Sequence, residues 1–367
     1  MMTEDLEYPI DGKGVFVVMK LCQHFFKKPW DKLSTLDYDT DKDSILETFN
    51  LTLYSPNLLY AENLTNENSS NNNFDRFMDT FSQQLEEKDE ANKEPSFVMF
   101  VLMSHGLVNG GVLLSTPESE KNRVDPCDCE PHTGTGECYV RYISTHIMKK
   151  VCDVYGHLSI PKIFVIQTCR GDERGVILAN GVDTRISRLN GVAPSELELF
   201  ILNTSDCFLF RPCLEGHGSW AGVEGSKFGS FFIKHFCQAL KQLRESANHS
   251  AENRKKLSGV RGSKDCPHPF ERLLSLANEE NMEGGWLVNI CQRTTELVTN
   301  WLIHEIPESA KTEPTDDKQQ PHFSSSLAYK VSFLKILKTQ WEEKDQYLAE
   351  WYDKMQGTGR STSAQSF

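Results

Sequence analysis

No apolar run in this chain approaches the roughly 18 residues that a membrane span requires. The opening residues, MMTEDLEYPIDGKG, are acidic where a secretory signal would be basic and then apolar. A basic excess is missing as well. With 39 Lys+Arg against 52 Asp+Glu the formal charge is −13, so no basic face is expected for nucleic acid or an anionic membrane. Nor is there an even cysteine framework. Eleven cysteines scattered over 367 residues match neither the count nor the length of a small disulfide-stapled secreted domain. The chain therefore reads as cytoplasmic with reduced thiols, and as having no nucleic-acid or membrane partner. Asn-X-Ser/Thr triplets such as Asn63-Leu64-Thr65 carry little weight in that setting.

What is present is enough chain for one large or two ordinary domains with a substantial core. VFVVM (15–19), SFVMFVLMSHG (96–106), KIFVIQ (162–167) and CFLF (207–210) read as buried strands, and SSSLAYKVSFLKI (324–336) as another. Helical spacing marks 41–50, 74–87, 140–152, 229–243 and 285–305. Strands separated by helices predict an α/β fold with a mostly parallel central sheet flanked by helices. Ligands of such sheets bind beyond the carboxyl ends of the strands. The Asn-rich 63–73, a hydrophilic insertion at about 116–138, the glycine-broken 172–205 and the polar 245–283 read as loops or linkers. The tail contains an amphipathic candidate helix, WEEKDQYLAEWYDKM.

Two polar breaks stand at strand ends: Ser104-His105-Gly106 and, after Gln167 and Thr168, Cys169-Arg170-Gly171. A thiol attacks a carbonyl only as thiolate, so a catalytic cysteine needs an exposed position and a base or cation beside it. Imidazole can take the thiol proton and later return it to a leaving amine. Backbone N–H groups next to glycine can stabilise the oxyanion. On spacing alone, a structural cysteine and an ordinary histidine remain the commoner explanation.

Read together, the strings narrow the choice. QTCRG differs by one residue from the Q-A-C-[RQG]-G signature of caspases, whose histidine lies about 50 residues upstream. Here it lies 64 upstream (169 − 105), and the hydrophilic insertion accounts for the excess. FVLMSHG resembles the caspase histidine strand, IPKIFVIQTCRG the nucleophile strand, GSFFIKHFCQAL the first small-subunit helix and SSSLAYKVSFL the last strand.

The resemblance implies a caspase-like fold built from a large-subunit region (1–171), a linker (172–205), a small-subunit region (206–335) and a tail (336–367). It implies a cysteine endopeptidase of protein substrates in programmed cell death, needing no cofactor. Cys169 would be the nucleophile and His105 the general acid/base, with the amides of Gly106 and Cys169 as oxyanion hole. Gln167, Ser219 and Trp220 would bind substrate. A homodimer, or a heterodimer with another caspase, would form through the small-subunit edge strand. Few residues precede the first strand, which resembles an executioner-type caspase or a fragment. Asp183, in NGVDTR, is the best candidate for processing of a zymogen.

The pattern departs where the family holds the substrate aspartate. Two arginines are expected there, because a desolvated carboxylate needs cations. Their positions carry Thr35 and Ala221, and Asp37 would repel a substrate carboxylate. Each lost contact to a buried charge is worth about 2–5 kcal/mol, a factor of roughly 10² or more in acceptance of aspartate. Two alternatives stay open: a protease with a rewired pocket, in which Arg211 or Lys227 supplies a cation, or a catalytically impaired homologue that regulates a true caspase. The cluster Cys127, Cys129, His132 and Cys138 has zinc-competent side chains, but C-x-C spacing is irregular for structural zinc, and a solvated insertion is the expectation.

Overall fold

A computed structural model describes residues 7–10, 14–21, 38–65, 73–86, 94–106, 110–115, 140–168, 196–213, 229–257, 287–304, 321–333, 335–337 and 340. Among these, six strands form one sheet: β1 (Gly14–Lys20), β2 (Leu58–Glu62), β3 (Phe97–Met103), β6 (Lys162–Gln167), β7 (Cys207–Arg211) and β8 (His322–Ser325). Their order is β2-β1-β3-β6-β7-β8, all parallel except β8, which runs antiparallel to β7. A separate two-stranded ribbon pairs β4 (Gly111–Leu113) with β5 (Val140–Tyr142).

The strands are apolar on both faces because both faces are covered. Phe16, Val18, Met99, Val101, Ile163, Val165, Phe208 and Phe210 face one core. That core is closed by α1 (Tyr38–Thr48), α5 (Phe231–Leu257) and α6 (Leu287–His304). Val17, Met19, Val98, Phe100, Phe164, Ile166, Cys207 and Leu209 face the other. There α2 (Phe74–Glu86), α3 (Lys149–Tyr155) and α4 (Glu196–Leu202) pack. The period of two along each strand thus sorts the side chains into two cores of an α/β sandwich. The chain starts at β1, steps out to β2 and returns to β3. The helices change face at that reversal, as right-handed crossovers require.

Four expectations about elements are corrected. Residues 140–152 are not one helix. Val140–Tyr142 pair with β4, and the helix begins with a wide turn, Ile143–Met148, in which Lys149 N–H donates to Ser144 O. His146 Nδ1 accepts the Tyr142 N–H at 3.1 Å and marks the break. The stretch 172–205 contains α4, whose Leu197 and Ile201 are buried against the sheet. Helix α5 continues to Leu257, through polar residues that lack an apolar period but contain no glycine or proline. The last strand lies at His322–Ser325, earlier than expected. After it, Lys330 bridges to Glu7, and 333 and 335–337 are helical. Along this edge strand β7 is the one neighbour among the described residues, so a sequence pattern marks its bounds weakly. The tail candidate at 341–355 and the insertion at 116–138 lie outside the described residues.

Candidate functional site

The parallel register aligns three strand ends: Lys20 opposite Met103, and Met103 opposite Gln167. Beyond that line Ser104 N–H donates to Gln167 O at 3.1 Å, so β3 and β6 stay joined for one more residue. His105 is thus two residues past the last pair on β3, and position 169 two past it on β6. His105 therefore belongs to the carboxyl edge of the sheet, where a parallel α/β sheet binds its ligands.

A hairpin holds His105 there. The Ser104 hydroxyl, fully buried, donates to Leu113 O at 2.9 Å, and Leu113 N–H donates to His105 O at 3.0 Å. Gly106 bridges to Val112, and just before β4 Gly110 takes a positive φ of 76°, a conformation that favours glycine. Ser115 ties the far arm down, donating to Leu21 O at 2.7 Å. The His105 imidazole is only 9% exposed, and burial pushes its pKa from 6.5 down to about 4. At neutral pH the imidazole is therefore uncharged, the form in which a histidine can accept a proton.

Thr168, 2% exposed, carries Cys169 as its next residue; consecutive Cα atoms are about 3.8 Å apart. The Cys213 thiol lies 3.9 Å from Thr168 O and helps fix that carbonyl. Cys169 itself lies outside the described residues, as do Thr35, Asp37, Asp183, Ser219, Trp220, Ala221, Lys227 and the Cys127–Cys138 cluster. Among the described residues no group of three or more metal-binding side chains occurs.

Gln167 is 1% exposed and, by strand alternation, lies on the face of Ile163 and Val165. Arg211 is equally buried but alternates with Cys207 and Leu209 onto the opposite face, with its Nη2 3.5 Å from His322 Nδ1. Arg211 and Gln167 therefore alternate onto opposite faces of the sheet.

The sequence pattern missed the end of β1. Lys20, 2% exposed, pairs with Asp39 at 2.8 Å and Glu62 at 3.0 Å. Its hydrogen bond holds the Asp39 carboxyl below the usual carboxylate range. Glu62 is lowered too, first by the Tyr60 hydroxyl and then by Lys20. A lone lysine closing the apolar run VFVVM was the signal available for this cluster. Asp41 is engaged elsewhere, accepting the Ser230 N–H at 2.7 Å.

The His105 shift has a measurable consequence. Its folded pKa lies below its unfolded one, so its contribution is fully present above about 6.5 and is lost as pH falls through 6.5 toward 4. The loss is on the order of 3 kcal/mol. Urea unfolding of wild type and His105→Asn at pH 7 and pH 4 is expected to show a steeper acid loss in wild type. Equal slopes would place His105 in water.

No curated protein sequence matches the chain. Among solved structures, caspase-1 from Spodoptera frugiperda is similar in fold. The TM-score is 0.50 at 15% identity, over 91% of this chain and 95% of that one. No described helix is long and apolar enough to cross a membrane. The profile of the caspase domain matches residues 26–331, a span that contains both the histidine hairpin and the end of β6. With most of the chain inside that match, on a mostly parallel sheet flanked by helices, the chain belongs to the caspase family of cysteine peptidases.

Proposed function

We propose that the chain is a cysteine endopeptidase that cleaves protein substrates with His105 and Cys169 as its dyad, with altered or weakened selectivity for aspartate. The observation that supports this best is the Met103–Gln167 register, extended by the Ser104–Gln167 hydrogen bond. In this reading neutral His105 takes the Cys169 proton, and the thiolate attacks the scissile carbonyl. The Gly106 and Cys169 amides receive the oxyanion. The imidazolium then protonates the leaving amine, and a thioester acyl-enzyme remains for hydrolysis by water that His105 deprotonates.

Programmed cell death in the cytoplasm is the setting the family suggests. The large- and small-subunit regions, 1–171 and 206–335, would be separated by cleavage at Asp183. Pairing with a second copy or another caspase would use β8, which is half-buried and has β7 as its one neighbour among the described residues.

The second reading, a regulator of a true caspase, draws on Thr35 and Ala221 at the arginine positions and on Arg211 facing away from Gln167. Peptide-library profiling of the purified protein beside Cys169→Ala separates the two. Cuts that depend on Cys169 are expected, and the residue before each cut names what the pocket accepts. A folded, dimerised protein that makes no such cuts is the regulator.

A further inference from the structure

We propose that Cys152 and Cys207 are a peroxide-reactive thiol pair that closes into a disulfide between α3 and the start of β7. Both cysteines are free, and their Sγ atoms stand 3.6 Å apart, although the residues are 55 positions apart in sequence. A disulfide is about 2.05 Å long, so about 1.5 Å of closure remains. The two sulfurs are not equivalent. Cys207 is fully buried at the mouth of β7, with its thiol donating to Ser205 O at 3.4 Å, whereas Cys152 is partly exposed on α3.

Lys162, 1% exposed, is the register partner of Cys207 and shares its face of the sheet. Its ammonium donates to Ile160 O at 3.2 Å, which anchors the charge beside the pair. The Cys207 contact and, after it, the charge of Lys162 lower the Cys152 thiol, while Cys152 and burial raise that of Cys207. An accessible sulfur with thiolate character next to a buried thiol is the arrangement of an attacking and a resolving cysteine.

The chemistry balances with a hydroperoxide as oxidant. The Cys152 thiolate attacks one peroxide oxygen, the O–O bond breaks, and Cys152 becomes a sulfenic acid as hydroxide leaves. The Cys207 sulfur then attacks the sulfenyl sulfur. The S–S bond forms, the S–O bond breaks, and the departing hydroxide takes the Cys207 proton to leave as water. Two thiols lose two electrons and hydrogen peroxide becomes two waters. A low-molecular-weight thiol reverses the bond by exchange.

The bond would span the stretch containing Asp183. A chain cleaved there would stay covalently joined while oxidised. That consequence rests on the two-subunit reading proposed above; the bond does not.

The test treats the full chain with a few equivalents of hydrogen peroxide, caps remaining thiols with N-ethylmaleimide and maps the unreduced digest by mass spectrometry. A cross-linked peptide joining Cys152 to Cys207 is expected in most chains and should vanish on reduction. In Cys207→Ser, a cyclic diketone should instead trap a Cys152 sulfenic acid. If both cysteines remain alkylated after peroxide, or Cys152 joins another cysteine, the proposal is overturned. Wild type alone decides this should Cys207→Ser fail to fold. Added active caspase separates the consequence from the bond. Oxidised, cleaved chain should run as one species unreduced and as two when reduced. A cross-linked chain that caspase leaves intact keeps the disulfide and removes the subunit reading.

Discussion

Replacing His105 with asparagine should lower kcat/KM on the peptides that wild type cleaves by a factor of about 10²–10⁴, chiefly in kcat. The size follows from what the hairpin does. Ser104, Leu113 and Gly106 hold the His105 backbone at the carboxyl edge of β3, one strand from Thr168, the residue that precedes Cys169. Burial keeps the imidazole neutral at pH 7, so in the proposed dyad the base is ready in the resting state. The acid limb of the pH–rate profile should therefore lie well below 6.5, nearer the value of about 4, as long as His105 is the base. An acid limb at an ordinary histidine value, or a variant with unchanged kcat, would remove His105 from proton transfer. Ser104→Ala offers a graded comparison. It deletes the bond to Leu113 O and leaves the imidazole in place, so it should cost far less activity than His105→Asn.

The largest stability effect is expected at Asp41 and Gly229, where α1 meets the start of α5. Ser230 caps α5 by accepting the Ile233 N–H at 3.2 Å, and the Asp41 carboxylate accepts the Ser230 N–H at 2.7 Å. The carboxylate is 1% exposed and sits at the positive end of the helix dipole. Asp41→Ala leaves a buried N–H without its charged acceptor and should cost about 3 kcal/mol. Gly229 is needed because a Cβ there would stand 2.1 Å from Asp41 Oδ1 and 3.2 Å from Asp41 N. Gly229→Ala must therefore push the carboxylate off the cap, at about 1–3 kcal/mol or more. The double variant should be less destabilised than the sum of the singles by about 1 kcal/mol, because the two changes share one contact. Denaturant unfolding of the four proteins measures this, and strict additivity would mean that Gly229 and Asp41 do not touch.

Several parts of this protein could be read directly from its residues. VFVVM, SFVMFVLM, KIFVIQ and CFLF are strands in the structure because continuous apolar runs of that length fit a sheet covered on both faces. The strings around His105 and Cys169 pointed to the caspase family, to which the domain match assigns the chain. Other parts could not be read this way. Helix α4 was hidden in a glycine-broken stretch, because its seven residues show too few turns for a period. The end of α5 was hidden by its polar composition, and β5 by the helix pattern that follows it.

Local pattern by itself determined the α/β class, the positions of β1, β3, β6 and β7, and the two polar breaks that carry the dyad candidates. Only the tertiary structure decided which strand ends are neighbours. It also set the face on which Arg211 lies, the charges that engage Lys20, and the contact between Cys152 and Cys207. The physical reason is the range of the forces involved. Periodicity and propensity act over a few residues and leave a trace in a short string. Register, burial and the pairing of charges arise between segments tens to hundreds of residues apart, and no short string contains both partners.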